Sequence, residues 1–158
     1  MRTRHGHKGE AMTDEPTGLM RKFPYAESLV PASSAFPEGR TVYRPRLPVT
    51  LMTLYDGWLS CYAIVDSGAD YCSFPQSLMK PLGIEPREFE NIDTANGLTP
   101  VYFHVQIDLG FVEPYYTYAG FHPGNFAMLG HKGFLDRFVV VFDTANRQFV
   151  ITNQTPTP

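Results

Sequence analysis

A carboxylate at the end of an apolar segment is the first candidate for chemistry in this sequence. Asp66 follows Ala63-Ile64-Val65 and is followed at once by Ser67-Gly68. The apolar, β-branched segment predicts a buried strand. A charged group there is costly unless it is paired or has a function, and Gly68 allows close backbone approach or a positive φ. A second interpretation stays open, because Asp-Ser-Gly is also an ordinary Asx or Ser turn.

The remaining chemically active side chains show no spacing typical of a metal site. His5-Gly6-His7 could chelate a metal, but a histidine pair in an exposed tail usually has no function. Cys61 and Cys72 are the only cysteines, and both lie inside apolar segments. We expect free thiols in a reducing cytoplasm rather than a disulfide. No metal and no cofactor are expected.

Composition argues against several classes of protein. Hydrophobic residues make up 43% of the chain and aromatic residues 14%, enough for a packed core. The formal net charge of −3 argues against a nucleic-acid groove. No run approaches the roughly 18 apolar residues of a membrane span, and the N-terminus lacks the apolar region of a secretory signal. We therefore expect neither a nucleic-acid partner nor a membrane partner.

Turn signals predict the elements that position Asp66. Asp56-Gly57 lies between two apolar runs and predicts a hairpin, whose second strand delivers Asp66. Residues 75–84 predict a short helix, with proline first and Gly83 near the end. Asn96-Gly97 predicts a second hairpin, and its return strand over residues 101–109 alternates between apolar and polar positions.

The last third of the chain predicts further strands. Residues 111–121 predict a strand pair, and an apolar strand runs into Gly130. A short helix is expected after Gly130, with Phe134, Leu135 and Phe138 on one side. Two closing strands follow, over residues 139–142 and 148–152.

Three ranges organise the chain. Residues 1–40 are polar and interrupted by prolines, which predicts a flexible or loosely docked N-terminal arm. Residues 41–152 form the predicted domain. Residues 153–158 predict a frayed tail.

Taken in order, these features resemble the retropepsin-like aspartic proteases over about residues 46–151. The shared features are the apolar strand into Asp66-Ser67-Gly68-Ala69-Asp70, the Leu82-Gly83-Ile84 helix end, a glycine-tipped hairpin, and the late Leu129-Gly130 turn before a valine-rich strand. The resemblance implies an all-β fold with one or two short helices, arranged as a small closed barrel of the acid-protease type.

The same resemblance implies an aspartic endopeptidase with one catalytic aspartate per chain. Asp93 and Asp143 are each followed by Thr-Ala, so a second Asp-Ser/Thr-Gly motif is absent. A homodimer is therefore implied, in which two copies of Asp66 meet at the twofold axis and act on a peptide or protein substrate. Asp66, Ser67 and Gly68 would be catalytic. The implied substrate-binding residues are Ala69, Asp70, Ala95, Asn96 and Gly97, the last three at the tip of a flap hairpin.

One position departs from the family pattern. Members often carry an arginine after the late glycine, and this arginine reaches the second aspartate of the motif. His131 follows Gly130 here. If His131 replaces the arginine, its contact with Asp70 becomes pH-sensitive. A surface histidine of no consequence is an equal alternative.

Two rival classes remain. One is a catalytically silent peptide-binding or dimerisation module on the same fold, which the intact Asp66-Ser67-Gly68-Ala69 motif disfavours. The other is an unrelated β-barrel in which Asp-Ser-Gly is only a turn. The unrelated barrel is favoured only if Asp66 lies far from any dimer axis.

Overall fold

A computed structural model of the chain describes residues 19–53, 57–85, 89–94 and 97–153. Regular structure in these residues is almost entirely β-strand, which confirms the all-β prediction. The strands are β1 Met20–Pro24, β2 Ala26–Val30, β3 Arg40–Arg44, β4 Arg46–Met52, β5 Trp58–Val65, β6 Ser73–Pro75, β7 Phe89–Thr94, β8 Gly97–Asp108, β9 Tyr115–His122, β10 Ala127–Leu129, β11 Phe138–Asp143 and β12 Gln148–Asn153.

Helical structure in the described residues is limited to a 3-10 helix, Gln76–Leu78, inside the range where a short helix was predicted. The expected helix after Gly130 is instead a series of turns. Its Leu135 and Asp136 amides donate to carbonyls five residues back, those of Gly130 and His131, at 3.0 and 2.9 Å. Within the described residues, no helix has the length and apolar character to cross a membrane.

Six strands close into a barrel in the order β4-β5-β10-β6-β9-β8. The barrel closes because β8 pairs back to β4, with Thr50 opposite Asp108 and Met52 opposite Gln106. β7 pairs antiparallel with β8 and extends the sheet as a hairpin. The closed-barrel prediction is therefore confirmed.

Alternation along β4 fills the barrel interior. Leu47, Val49 and Leu51 are buried, whereas Pro48 between them points outward and is exposed. Pro48 lies before the point at which β4 reaches β8, at Thr50, so its missing amide hydrogen interrupts no ladder on that side. The proline-rich start of this strand is thus compatible with a place in a closed sheet.

Both predicted hairpins are present. β4 and β5 pair from Arg46–Ile64 to Met52–Trp58, and the Thr53 amide donates to the Gly57 carbonyl at 2.9 Å. β7 and β8 pair up to Thr94 and Gly97. Asp56 of the first predicted turn, and Ala95 and Asn96 of the second, lie outside the described residues.

A separate three-stranded sheet, β1-β12-β11, packs beside the barrel. The Phe23 ring of β1 stacks on Phe149 of β12, with centroids 5.4 Å apart and an interplanar angle of 26°. β2 and β3 form a two-stranded hairpin. Strands β1 and β2 therefore lie within the range predicted as an arm. The domain boundaries at 40 and 152 stay predictions.

Two parallel pairings bring the ends of distant segments together. β10 runs parallel to β5, with Leu129 opposite Val65, and β6 runs parallel to β9. β10 also bridges to β6 through Met128 and Ser73. Because parallel neighbours end at the same edge, the residues after β5 and after β10 meet there.

Candidate active site

Asp66 is fixed at the edge where β5 and β10 both end. The Asp66 amide donates to the Leu129 carbonyl at 3.0 Å, and the Val65 amide donates to the Pro45 carbonyl at 2.8 Å. Val65 and Leu129 are buried, whereas Asp66 is half-buried. Asp66 therefore emerges from the buried end of β5, as the apolar run before it predicted.

The next residues form a tight loop around the Asp66 carboxylate. The Gly68 amide donates to Asp66 Oδ1 at 2.9 Å, and the Ala69 amide donates to the Asp66 carbonyl at 3.3 Å. A Cβ at Gly68 would lie 3.3 Å from Asp66 Oδ1, so glycine allows this close approach. Ser67 and Gly68 are exposed. This geometry is an Asx turn, common to the catalytic interpretation and the turn interpretation.

The turn after Gly130 is hydrogen-bonded to the loop that follows Asp66. The His131 amide donates to the Ala69 carbonyl and the Lys132 amide to the Asp70 carbonyl, both at 2.8 Å. A Cβ at Gly130 would lie 2.5 Å from the Ala69 carbonyl oxygen, closer than any real side chain approaches. Glycine is therefore required at position 130 for this contact.

The side chain of His131 contacts Ser67 rather than Asp70. Its Nε2 lies 2.9 Å from the Ser67 carbonyl oxygen. Within the described part of the chain, the Asp70 carboxylate is exposed and forms no ion pair, and Lys132 pairs with Asp136 at 3.8 Å. The contact between His131 and Asp70, one of two interpretations that the sequence left open, is therefore not formed within this chain.

A groove opens beside Asp66. Its volume is about 370 Å³, and it is lined by Arg44, Ile64, Val65, Asp66, Phe126 and Met128. Sequence reasoning did not select Arg44, Phe126 or Met128. Phe126 directly precedes β10 and Met128 lies within it, and only the parallel pairing of β10 with β5 brings them to Asp66. A larger cavity of about 550 Å³ lies elsewhere, next to Tyr115 and Arg137.

Neither cysteine is suited to be the nucleophile. Both are free thiols. Burial raises the pKa of Cys72 to about 12, and burial also raises the pKa of Cys61. Since the thiolate is the reactive form, Cys72 is inert at neutral pH. No group of three or more His, Cys, Asp or Glu side chains among the described residues could hold a metal ion.

Of the predicted substrate-binding residues, the structure brings two to Asp66. Ala69 and Asp70 follow it in the same loop, and both are held by the turn after Gly130. Gly97 opens β8 opposite Thr94, at the tip of the β7–β8 hairpin. Ala95 and Asn96 lie outside the described residues.

Comparison with solved structures finds chains of similar fold. The crystal structure of a retropepsin-like aspartic protease from Rickettsia conorii superposes with a TM-score of 0.50 and 12% sequence identity, over 88% of this chain and 97% of that chain. No protein-family model matches the sequence, and no curated protein matches it. The chain therefore has a fold similar to that of a retropepsin-like aspartic protease.

Proposed function

We propose that this protein is an aspartic endopeptidase, whose active site is formed by the Asp66 residues of two identical chains. The observation that carries the proposal is the position of Asp66. A half-buried carboxylate emerges from paired parallel strands into a glycine-containing loop and borders an open groove. A similar fold in a retropepsin-like aspartic protease adds support.

The homodimer follows from the chemistry that the proposal requires. One carboxylate cannot supply both the acid and the base, and the sequence holds one Asp-Ser-Gly motif. Strand β11 supports this step, because it pairs with β12 on one side and, among the described strands, has no neighbour on the other. Its Val139 and Val141 are 46% and 57% exposed. Such an edge suits antiparallel pairing with a second copy across a twofold axis.

The proposed mechanism divides the roles between the two carboxyls. Two carboxylates in contact do not both ionise at low cost, so they share one proton. The ionised Asp66 takes a proton from a water molecule held between them. The protonated Asp66 donates to the carbonyl oxygen of the peptide bond, and the water oxygen attacks its carbon. The tetrahedral diol then collapses as the amine leaves with a proton, without a covalent acyl-enzyme.

The neighbouring residues have supporting roles in this proposal. Ser67 is exposed at the loop surface, where its hydroxyl is available to bond the second chain. Gly68 fixes the Asp66 carboxylate through its amide. Ala69 and Asp70 bind the peptide backbone. The β7–β8 hairpin, with Ala95, Asn96 and Gly97 at its tip, closes over an extended peptide and excludes water.

We also propose that the protein works in the cytoplasm, since its two free thiols suit a reducing compartment. The substrate is a peptide or an unfolded protein segment, because an extended chain pairs with strand edges. Nucleic acid and membrane are not proposed as partners.

The test is cleavage of a mixed peptide library by the wild-type protein and by Asp66→Asn, purified in parallel and followed by mass spectrometry across acidic and neutral pH. We expect defined cleavage products from the wild type and none from Asp66→Asn. Asp108→Asn, a carboxylate change at the last residue of β8, is the matched control and should cleave, because Asp108 does not line the groove and asparagine keeps the oxygen that accepts from the Gly110 amide. Equal products from all three proteins would point to a contaminating protease. Binding without cleavage by the wild type would instead support the silent peptide-binding module.

A further inference from the structure

A basic side chain, Arg44, shares the groove with Asp66. Arg44, the last residue of β3, lines the groove together with Asp66 and is half-buried. Within the described residues, Arg44 forms no ion pair and no side-chain hydrogen bond. A half-buried guanidinium is stabilised by a carboxylate partner, so a site of this kind favours a negative group from outside the chain.

Arg46 places a second cation on the same face. It lies directly opposite Ile64 in the β4–β5 ladder, and residues opposite each other share one face of the sheet. Ile64 lines the groove. The Nε atom of Arg46 is buried and has no hydrogen-bond partner. One arginine therefore lines the groove and a second lies on the same sheet face, in a protein whose net charge is −3.

The rest of the groove wall is apolar. Ile64 and Met128 are register partners in the parallel β5–β10 pair and are both half-buried, and Phe126 is 45% exposed. The volume of about 370 Å³ lies near the lower end of ordinary ligand pockets, about 300–1,000 Å³. The groove thus combines an apolar wall with a basic end, which suits a side chain with an apolar stem and a charged tip.

We propose that this groove selects substrates in which an acidic side chain lies next to the cleaved peptide bond. Arg44, assisted by Arg46, binds the carboxylate, while Ile64, Phe126 and Met128 cover the stem. The arginines also offset the repulsion between a substrate carboxylate and Asp66, which borders the same groove. This inference rests on the proposed peptidase function for its cleavage step, but the binding preference is separable from it.

The cleavage test uses three peptide pools that are degenerate except for one fixed Glu, Gln or Lys. Glu and Gln have nearly the same size, so their ratio isolates charge. We expect the wild type to cleave next to Glu with kcat/KM at least about tenfold above Gln, since hydrogen bonds to charged groups are the stronger ones. Arg44→Gln should bring the ratio close to one, and Arg44→Glu should favour Lys. Arg44→Lys, which keeps the charge, should retain part of the preference.

Arg40→Gln is the matched control, because it removes the same charge from the same strand. Arg40 lies at the other end of β3, over the Phe36 ring, and does not line the groove. Its Glu-to-Gln ratio should equal that of the wild type. High salt should reduce the wild-type preference by screening.

A binding measurement separates failure of this inference from failure of the proposed function. Fluorescent Glu and Gln peptides are titrated against Asp66→Asn, which cannot cleave them under the proposed mechanism. Tighter binding of the Glu peptide, lost in Asp66→Asn/Arg44→Gln, supports the groove preference even if the wild type proves inactive. Equal binding and equal cleavage of the two peptides overturn the inference and leave the peptidase proposal standing. Loss of the dimer in Arg44→Gln with an unchanged Glu-to-Gln ratio also overturns it, since Arg44 would then bind the second chain.

Discussion

The imidazole of His131 holds the main chain of Ser67, with Nε2 at 2.9 Å from the carbonyl oxygen. Because a carbonyl oxygen only accepts, Nε2 carries the hydrogen. A histidine that donates through Nε2 keeps this hydrogen when the ring is protonated. This hydrogen bond therefore differs from the pH-sensitive contact with Asp70 that was one of two interpretations left open by the sequence.

We expect His131→Phe to lower the free energy of unfolding by about 0.5–1.5 kcal/mol, the usual contribution of one hydrogen bond. His131→Gln keeps a donor and should recover part of the loss. Hydrogen exchange of the Gly68 and Ala69 amides, measured beside thermal melting, tests whether the effect is local. Unchanged exchange in His131→Phe would show that the contact does not restrain the Asp66 loop.

Gly130→Ala is expected to cost about 1–3 kcal/mol, because its Cβ would collide with the Ala69 carbonyl and overpack the corner. Peptide cleavage should fall with it, since the Asp66 loop must shift. Gly110→Asn is the control: Gly110 has a φ of 73° with open space around it, and asparagine tolerates this conformation. Similar losses in both variants would mean that any glycine change is harmful and would remove the special role of position 130.

The division of roles between two Asp66 carboxyls predicts how activity falls when wild-type and mutant chains are mixed. Mixing equal amounts of wild type and Asp66→Asn, with full subunit exchange, leaves about one quarter of the dimers fully wild type. Activity at constant total concentration should fall to about a quarter if mixed dimers are inactive. Sedimentation must verify the dimer and the exchange. A fall to one half would mean that each chain has a complete site.

The stacking of Phe23 on Phe149 predicts that β1 belongs to the stable fold. The ring centroid of Phe23 also lies 5.4 Å from that of Phe111, which belongs to the connection between β8 and β9. Because Phe23 is half-buried, Phe23→Ala should destabilise the protein by about 2–3 kcal/mol, less than a core phenylalanine. Leu29→Ala is the control, since Leu29 is 79% exposed on β2. If residues 1–40 are a dispensable arm, neither variant will change the melting temperature.

Asp143 makes a prediction about acid stability. Side-chain hydrogen bonds from Asn146 and Gln148, both at 2.8 Å, lower the pKa of Asp143 below its usual 3.8. A carboxyl with a lowered folded-state pKa stabilises the fold above its unfolded pKa, and this contribution disappears as pH falls through the folded value. Melting temperatures of wild type and Asp143→Asn should therefore differ most near neutrality and converge in strong acid. A difference that is constant with pH would assign the effect to packing. Glu113→Gln, an exposed change of the same charge, serves as the control.

Local signals predicted the part of the site that is local in sequence. The Asp-Gly turn and the apolar run before Asp66 were sufficient for the β4–β5 hairpin and for the loop at its end. The groove was not predictable in this way. It requires β10 to lie parallel to β5, and no local pattern specifies which strands become parallel neighbours.

One element shows why a predicted helix is absent, and another shows how strands form in a proline-containing range. The apolar spacing of Phe134, Leu135 and Phe138 suggested a helix, but Gly133 adopts a φ of 99° against Thr117, and Phe138 already begins β11. The prolines of the first forty residues suggested a flexible or loosely docked arm, and this stays a prediction. Pro31 and Pro37 lie in the connection between β2 and β3, so they interrupt neither strand.

The buried thiol of Cys72 is a natural reporter of local opening near Asp66. Its backbone is tied on both sides, by its amide to the Lys132 carbonyl and by its carbonyl to the Gly120 amide, at 3.1 and 2.9 Å. Burial raises the pKa of this thiol to about 12 and leaves it no exposed surface. It therefore reacts with an alkylating reagent only after the structure around Cys72 opens. The labelling rate of Cys72 thus measures how often the segments that follow β5 and β10 separate, without any added probe. Comparison of this labelling rate with the rate of global unfolding shows whether the region around Cys72 opens locally or only when the whole barrel unfolds.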